Sequence, residues 1–436
     1  MEPGTLPPST LGQAALTDAQ PGLVIVFPKL RIIPVEESIE LGRGSEPHQI
    51  DDGRISRKHT RITVEGGRFI ATDLGSQNGT FVDGVQIAAN VPTPVTRALK
   101  IGDTVLVPMA DIGPMQHLGV TEIDGFIRGP AMQQLLDEVK RAAQIGAVLH
   151  VRGETGAGKE GVAAAFHRAG SRAEGPLVAV NCAAIPQPIA ERLLFGAKKG
   201  AFSGADADTS GYLVDADGGT LFLDEVAELD AQVQAKLLRA LEAREVIALG
   251  TSKPRKIELG FVSATNKDLR ALVAAGSLRE DLYFRLGTPA ITLPPLRARP
   301  EEIALLVINE LARLGATAHT SLIEQCLLRP WPGNVRELLA ELRTAAGAAY
   351  PETRVLGRHL AETAGNMFST TAPVATPEPM KRMPQTVDDE WRTRIENALR
   401  ANDGKVAAAA RALGLHRTQL RRLIERHGIA ITDDSE

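Results

Sequence analysis

Gly153, Gly158 and Lys159 stand at the spacing G-x-x-x-x-G-K within HVRGETGAGKE, after an apolar run (AVLHV) and before a helical pattern (GVAAAFHRA). Glycines there let backbone N–H groups turn toward phosphate oxygens. The lysine reaches the terminal phosphates, and the helix N-terminus adds positive potential. Glu154, Thr155, Gly156 and Ala157 complete the loop as candidate ATP-binding residues. The hydroxyl residue that ordinarily follows the lysine and ligates Mg2+ is Glu160 here, so metal binding must lean on another acid. GGTLFLDE supplies it, because an apolar run delivers Asp224 and Glu225 to the end of a strand. Asp224 can hold Mg2+ directly or through water, and Glu225 can orient and deprotonate an attacking water. Such a pair also occurs as an acidic helix cap. A phosphate loop roughly 65 residues upstream favours hydrolysis.

The elements that must position these groups follow from composition and periodicity. A length of 436 residues suggests roughly three domains, and 43% apolar residues suffice for packed cores. No apolar run reaches about 18 residues and no secretory pattern opens the chain, so neither a membrane span nor export is expected. Two distant cysteines, Cys182 and Cys326, cannot build a disulfide or zinc framework and point to the reducing cytoplasm. A net charge of −4 confines any nucleic-acid contact to a local basic patch.

Residues 1–20 are expected to be a flexible leader. From 21 to 112 short apolar runs split by Gly, Asp and Pro predict an all-β sandwich. From 123 to 362 strands alternate with helical patterns, as in a parallel α/β sheet. Residues 363–386, with four prolines, read as a linker. Residues 387–431 are helical, and Trp391, Ile395 and Leu399 form a stripe expected to pair protomers.

The α/β stretch resembles the AAA+ ATPase domain, with its α-helical lid, of bacterial enhancer-binding proteins, the activators of sigma-54 RNA polymerase. GETGAGKE, VNCAAI, LLFGAKKGAFSGA, GGTLFLDE, ATN, LREDLYFRL, LPPLRAR and WPGNVREL carry the resemblance and follow the family's order. It implies that Asn181 restrains Glu225 until ATP is sensed, and that Thr265 and Asn266 lie near the γ-phosphate. Arg279 and Arg285 would reach a neighbouring subunit's ATP in trans, and Arg336 would contact nucleotide from the lid. A homo-oligomer, from dimer to hexameric ring, is implied in turn. In the same family GAFTGA tips a loop raised toward sigma-54. The corresponding residues are Gly200, Ala201, Phe202, Ser203, Gly204 and Ala205, with Ser203 in place of threonine. A second departure is Gly260, where the family usually has arginine.

In the β region GR, SxxH and NGT resemble a forkhead-associated (FHA) domain, which reads phosphothreonine. Arg43 and Ser56 would meet the phosphate with further charge from Arg57 or Lys58, Asn78 would fix the peptide backbone, and His59 would brace the loops from behind. The implied partner is a phosphothreonine-containing protein or a Ser/Thr kinase. Near the C-terminus six basic residues face a single acid, Glu425, between 405 and 429, in a pattern of helix, turn at Gly414 and helix. The segment resembles a Fis-type helix-turn-helix. His416, Arg417, Thr418, Gln419, Arg421 and Arg422 are its candidate contacts to double-stranded enhancer DNA.

Together these features predict a sigma-54-dependent activator with ATP and Mg2+ as cofactors, under phosphothreonine control. The alternative is a DNA-bound regulator or repressor that no longer remodels the polymerase.

Overall fold

The computed structural model describes residues 19–367, except 45, 46, 124, 147, 204 and 288, and further on 395–402, 406–413, 420 and 424. The chain divides into two compact units between Met367 and Phe368. Among the described residues no helix is long and apolar enough to cross a membrane.

The larger unit opens with ten strands: β1 (Gly22–Phe27), β2 (Arg31–Pro34), β3 (Ser38–Leu41), β4 (Thr60–Glu65), β5 (Arg68–Asp73), β6 (Thr80–Val82), β7 (Val85–Gln86), β8 (Thr93–Val95), β9 (Leu99–Ile101) and β10 (Thr104–Met109). They form two antiparallel sheets, ordered β2-β1-β10-β9-β6-β7 and β3-β4-β5-β8. Side chains alternate along a strand, and both faces of β1 and β10 are covered. Leu23, Ile25 and Leu106 point into the sandwich. Val24, Val26, Val105 and Val107 point outward, into a second core.

After α1 (Gly113–Leu118), the hairpin of β11 (Thr121–Ile123) and β12 (Phe126–Arg128) leads into an α/β layer. Its elements are α2 (Pro130–Ile145), β13 (Val148–Arg152), α3 (Lys159–Ala169), β14 (Leu177–Asn181), α4 (Gln187–Phe195), α5 (Tyr212–Asp215), β15 (Thr220–Asp224), α6 (Ala231–Ala243), β16 (Glu245–Val246), β17 (Arg255–Lys256), β18 (Gly260–Thr265), α7 (Leu269–Ala274), α8 (Glu280–Leu286) and β19 (Ala290–Thr292). Five strands make a parallel sheet in the order β14-β15-β18-β13-β19. The carboxyl ends of β13, β15 and β18 therefore lie side by side, where open α/β sheets place their ligands.

A helical lid completes the unit: α9 (Pro300–Arg313), β20 (Thr317–Ala318), α10 (Thr320–Leu328), α11 (Asn334–Ala349) and β21 (Arg354–Val355). The outward valines of the sandwich share one core with Val307, Leu311, Leu322, Leu327 and Trp331 of the lid. Polar contacts reinforce the junction along one face of α10, at i, i+4 and i+8. Thr320 Oγ1 donates to the Asp103 carbonyl at 3.2 Å, Glu324 accepts from Lys100 at 2.5 Å, and the Leu328 carbonyl accepts from Arg97. The packed unit runs slightly past the predicted linker start, because Gly365 lies against Trp331 and gives its N–H to Glu337 at 3.0 Å.

In the smaller unit, helices over 395–400 and Val406–Ala412 pack on each other. Ile395 and Leu399 are buried there against Ala409, Ala410, Leu420 and Ile424. These two side chains of the stripe expected to pair protomers thus contribute to the unit's own core. Trp391 lies outside the described residues.

Candidate functional site

A cleft of about 1000 Å³ opens at the carboxyl ends of the parallel strands, between sheet and lid. Thr155, Gly156, Ala157, Gly158, Lys159 and Glu160 line it together with Asn181, Asp224, Glu225, Asn266 and Arg336. The phosphate loop joins β13 to α3, and Gly156 and Gly158 take φ of +75° and +109°, values that favour glycine. At the tip this freedom is obligatory, because a Cβ on Gly156 would sit 2.2 Å from the Gly333 carbonyl oxygen.

Lys159 is 5% exposed, with its ammonium 2.8 Å from Glu225 Oε1 and 3.3 Å from Asp224 Oδ1. The other Glu225 oxygen accepts from Thr265 Oγ1 at 3.3 Å and from the Asn266 N–H at 3.2 Å. Glu225 adopts φ +51°, a strained value for a non-glycine residue that clusters at functional sites. Asn181 borders the cleft, but its side-chain oxygen accepts from the Ala183 N–H at 2.9 Å rather than meeting Glu225. Arg336 leans in from α11, 67% exposed and 3.9 Å from Glu160. Thr265 is fully buried, behind Glu225 rather than on the cleft wall.

Several side chains that sequence reasoning passed over complete the cleft. Phe126 and Ile127 form an apolar flank with Met132 and Leu136 of α2, beside Gly125 and Arg128. Glu154 turns away from the cleft, and both its oxygens are held by the Arg297 guanidinium at 2.8 and 2.6 Å. That fork holds the Glu154 carboxyl below its usual range. Asn334, fully buried at φ +53°, gives its amide to Glu154 Oε2 and to the Thr155 carbonyl, each at 3.1 Å. Arg299 and Glu302 pair at 2.8 Å in the interior, and Glu302 also takes the Gly129 N–H at 2.7 Å. Burial pushes the Glu301 carboxyl up to about 7. Arg297, Asn334 and Arg299 all lie in LPPLRAR and WPGNVREL, so the motifs were visible while the partners were not.

The two candidate trans-acting arginines stay off this cleft. Arg279 forks onto Asp281 at 3.0 and 2.7 Å, and Arg285 donates to the Leu241 carbonyl at 2.9 Å. The 200–205 segment closes a tight turn, with the Gly200 N–H donating to the Ala205 carbonyl at 2.9 Å and Gly200 at φ +81°. Its base is fixed by Lys198 and the Lys199 N–H, both on Asp208. Phe202 is 38% exposed, with the Arg192 guanidinium 5.3 Å from its ring, and Ser203 is exposed. Gly204 lies outside the described residues. Gly260 is buried, and a Cβ there would lie 3.0 Å from Thr220 Oγ1, leaving little room for a larger side chain.

In the β-sandwich the candidate phosphopeptide residues converge on one set of loops. The Arg43 N–H donates to the Ser56 carbonyl at 2.9 Å, and the Gln77 N–H donates to Ser56 Oγ at 3.1 Å. Arg43 and Arg57 are exposed, and the Asn78 amide donates to the Arg54 carbonyl at 2.7 Å. His59 is fully buried behind them. Its Nδ1 accepts the Ser56 N–H at 3.0 Å, so Nε2 carries the proton given to the Gly79 carbonyl at 3.1 Å. The DNA-contact candidates His416, Arg417, Thr418, Gln419, Arg421 and Arg422 lie outside the described residues.

Comparison with known proteins matches this layout. The Sigma-54 interaction domain model matches residues 126–292, the FHA domain model 39–107, and the Fis-family bacterial regulatory protein model 392–427. The anaerobic nitric oxide reductase transcription regulator NorR of Aeromonas hydrophila is 39% identical over 393 residues, covering 84% of this chain and 75% of its own. Regulatory protein LuxO of Vibrio cholerae is 39% identical over 325 residues, covering 70% of this chain and 61% of its own. The crystal structure of NtrX from Brucella abortus in complex with ADP superposes with a TM-score of 0.50 at 29% identity, covering 69% of this chain and 68% of that one. The chain thus spans about half to three-quarters of the length of the curated relatives it matches.

Proposed function

The chain belongs to the sigma-54-dependent activator family, and on that footing we propose that it hydrolyses ATP to remodel the closed complex of sigma-54 RNA polymerase. It acts in the cytoplasm from double-stranded enhancer DNA, which it holds through its C-terminal helices. The observation that carries the reading is the convergence of Lys159, Asp224, Glu225 and Arg336 on one cleft. The terminal phosphates of ATP compete with Glu225 for the Lys159 ammonium. Their arrival frees the Glu225 carboxylate, still steadied by Thr265 and Asn266, to orient and deprotonate water. The donor set also suits Mg2+, which keeps most of its positions for phosphate oxygens and water and needs little beyond Asp224. When bound, that ion neutralises charge developing on the phosphates.

Arg279 and Arg285 sit away from their own cleft, which supports their acting on a neighbouring subunit in a ring, as arginine fingers do. Phe202 offers exposed apolar area to sigma-54 at the tip of its loop. Phosphothreonine read by Arg43, Ser56, Arg57 and Asn78 adjusts ring activity through the lid. Support comes from a short run of contacts: Asn78 to the Arg54 carbonyl, the Arg54 side chain to Asp103 at 3.4 Å, and the Asp103 carbonyl to Thr320 of α10.

The test is open-complex formation by the purified chain on a sigma-54 promoter. Open complexes should require ATP, and Phe202→Ala should lose them while still hydrolysing ATP. Hydrolysis by the unaltered chain without open complexes would refute the activator reading.

A further inference from the structure

An acid in the second position of a phosphate loop is an electrostatic burden, because the loop must receive a polyanion. The fold deals with that acid in a specific way. Glu154 faces the lid, where Arg297 engages both of its oxygens in a bidentate fork at 2.8 and 2.6 Å. Asn334 adds a third donor at 3.1 Å and ties the same loop through the Thr155 carbonyl, also at 3.1 Å. Asn334 is itself fixed, since its side-chain oxygen accepts the Leu296 N–H at 2.7 Å. One residue on, Gly156 abuts the Gly333 carbonyl and the Cβ of Arg336. An exposed ion pair alone contributes little. Forked geometry with a buried third donor makes this one directional.

We propose that Arg297 and Asn334 are positioning residues for the phosphate loop. Arg297 cancels and averts the Glu154 charge, and Asn334 locks the Thr155 carbonyl to the lid. Together they set the preference of the loop for a triphosphate over a diphosphate. The inference rests on the cleft being an ATP site. Loss of Arg297 leaves a free carboxylate beside the phosphates, and the more highly charged nucleotide suffers more from it. Asn334 carries the mechanical half, because its buried amide is the only described side chain that bonds both Glu154 and the Thr155 carbonyl.

The experiment measures binding of fluorescent ATP and ADP analogues by the full chain, together with KM and kcat for ATP and a melting curve for each variant. Arg297→Ala should weaken ATP roughly ten- to a hundredfold and ADP several-fold less, raising KM more than it lowers kcat, with the melting point held. Arg297→Lys, which keeps the charge but not the fork, should fall between. Adding Glu154→Gln to Arg297→Ala should restore most of the ATP affinity, because the charge that Arg297 cancelled is gone. A purely structural contact predicts the opposite, a second loss on top of the first. Equal ATP and ADP losses, or no rescue by Glu154→Gln in a folded protein, overturn the proposal. Failure of the unaltered chain to bind ATP would instead strike at the ATPase reading.

Discussion

Lys100 on β9 and Glu324 on α10 meet at 2.5 Å where the sandwich joins the lid, with side chains only 16% and 6% exposed. Lys100 also lies 4.0 Å over the Phe81 ring, and Glu324 Oε1 has no hydrogen-bond partner among the described residues. Replacing Lys100 by alanine therefore strands a carboxylate inside a core. Breaking a buried pair in this way costs about 3–5 kcal/mol, against roughly 0–1 for a solvent-exposed pair. At about 1–2 °C per kcal/mol for a unit of this size, the melting transition should fall by roughly 3–10 °C. Removing both charges, as Lys100→Met with Glu324→Leu, should recover most of that loss, because the apolar pair carries no desolvation cost. Calorimetry on the full chain measures both variants, and one shared transition for sandwich and lid is expected. A Lys100→Ala protein that melts within about a degree of the unaltered chain would show that sandwich and lid do not share a buried junction.

Glu225→Gln should leave nucleotide affinity in place while slowing hydrolysis by roughly 10²–10⁴, the usual weight of a general base; unchanged turnover would remove Glu225 from that role. Glu301, pushed up to about 7 from an ordinary 4.5 by burial, binds its proton more tightly folded than unfolded, so its stabilisation is complete below the lower value and lost as pH rises through the higher. Urea unfolding across about pH 5 to 8 should show the unaltered chain losing on the order of 2–3 kcal/mol relative to Glu301→Gln, and parallel profiles would contradict this. Arg43→Ala should abolish phosphothreonine-peptide binding within about 0.5 kcal/mol of unaltered stability. His59→Ala should cost about 1–3 kcal/mol through two orphaned backbone groups and weaken the peptide indirectly. Calorimetric titration beside denaturation separates those two effects.

The nucleotide loop was legible because its chemistry is contiguous: eight residues in a row hold the glycines and the lysine, and a second short string holds both carboxylates. The sandwich loops were legible from three short strings, GR at 42–43, SRKH at 56–59 and NGT at 78–80, down to His59 behind Ser56 and Gly79. What stayed hidden was pairing across distance. Nothing near Lys100 in the sequence points to Glu324, and nothing near Glu154 points to Arg297. One local signal of the junction did exist. LVIVF in β1 and VLV in β10 are unbroken apolar runs rather than alternating ones, and a sandwich strand buried on both faces needs a second layer beyond it. At the C-terminal stripe the sequence did not show that Ile395 and Leu399 are buried within their own unit, against Ala409, Ala410, Leu420 and Ile424.

The shared core also bears on how such a chain can be reassembled, by recombination or in the laboratory. An input domain hung on a tether can be exchanged without its neighbour noticing. Here an exchange would leave Thr320, Glu324 and Leu328 facing nothing, an acid set in an oily stripe. Sandwich and lid therefore have to travel as one cassette, and a chimera cut between them needs a repainted α10 before its input domain can be judged.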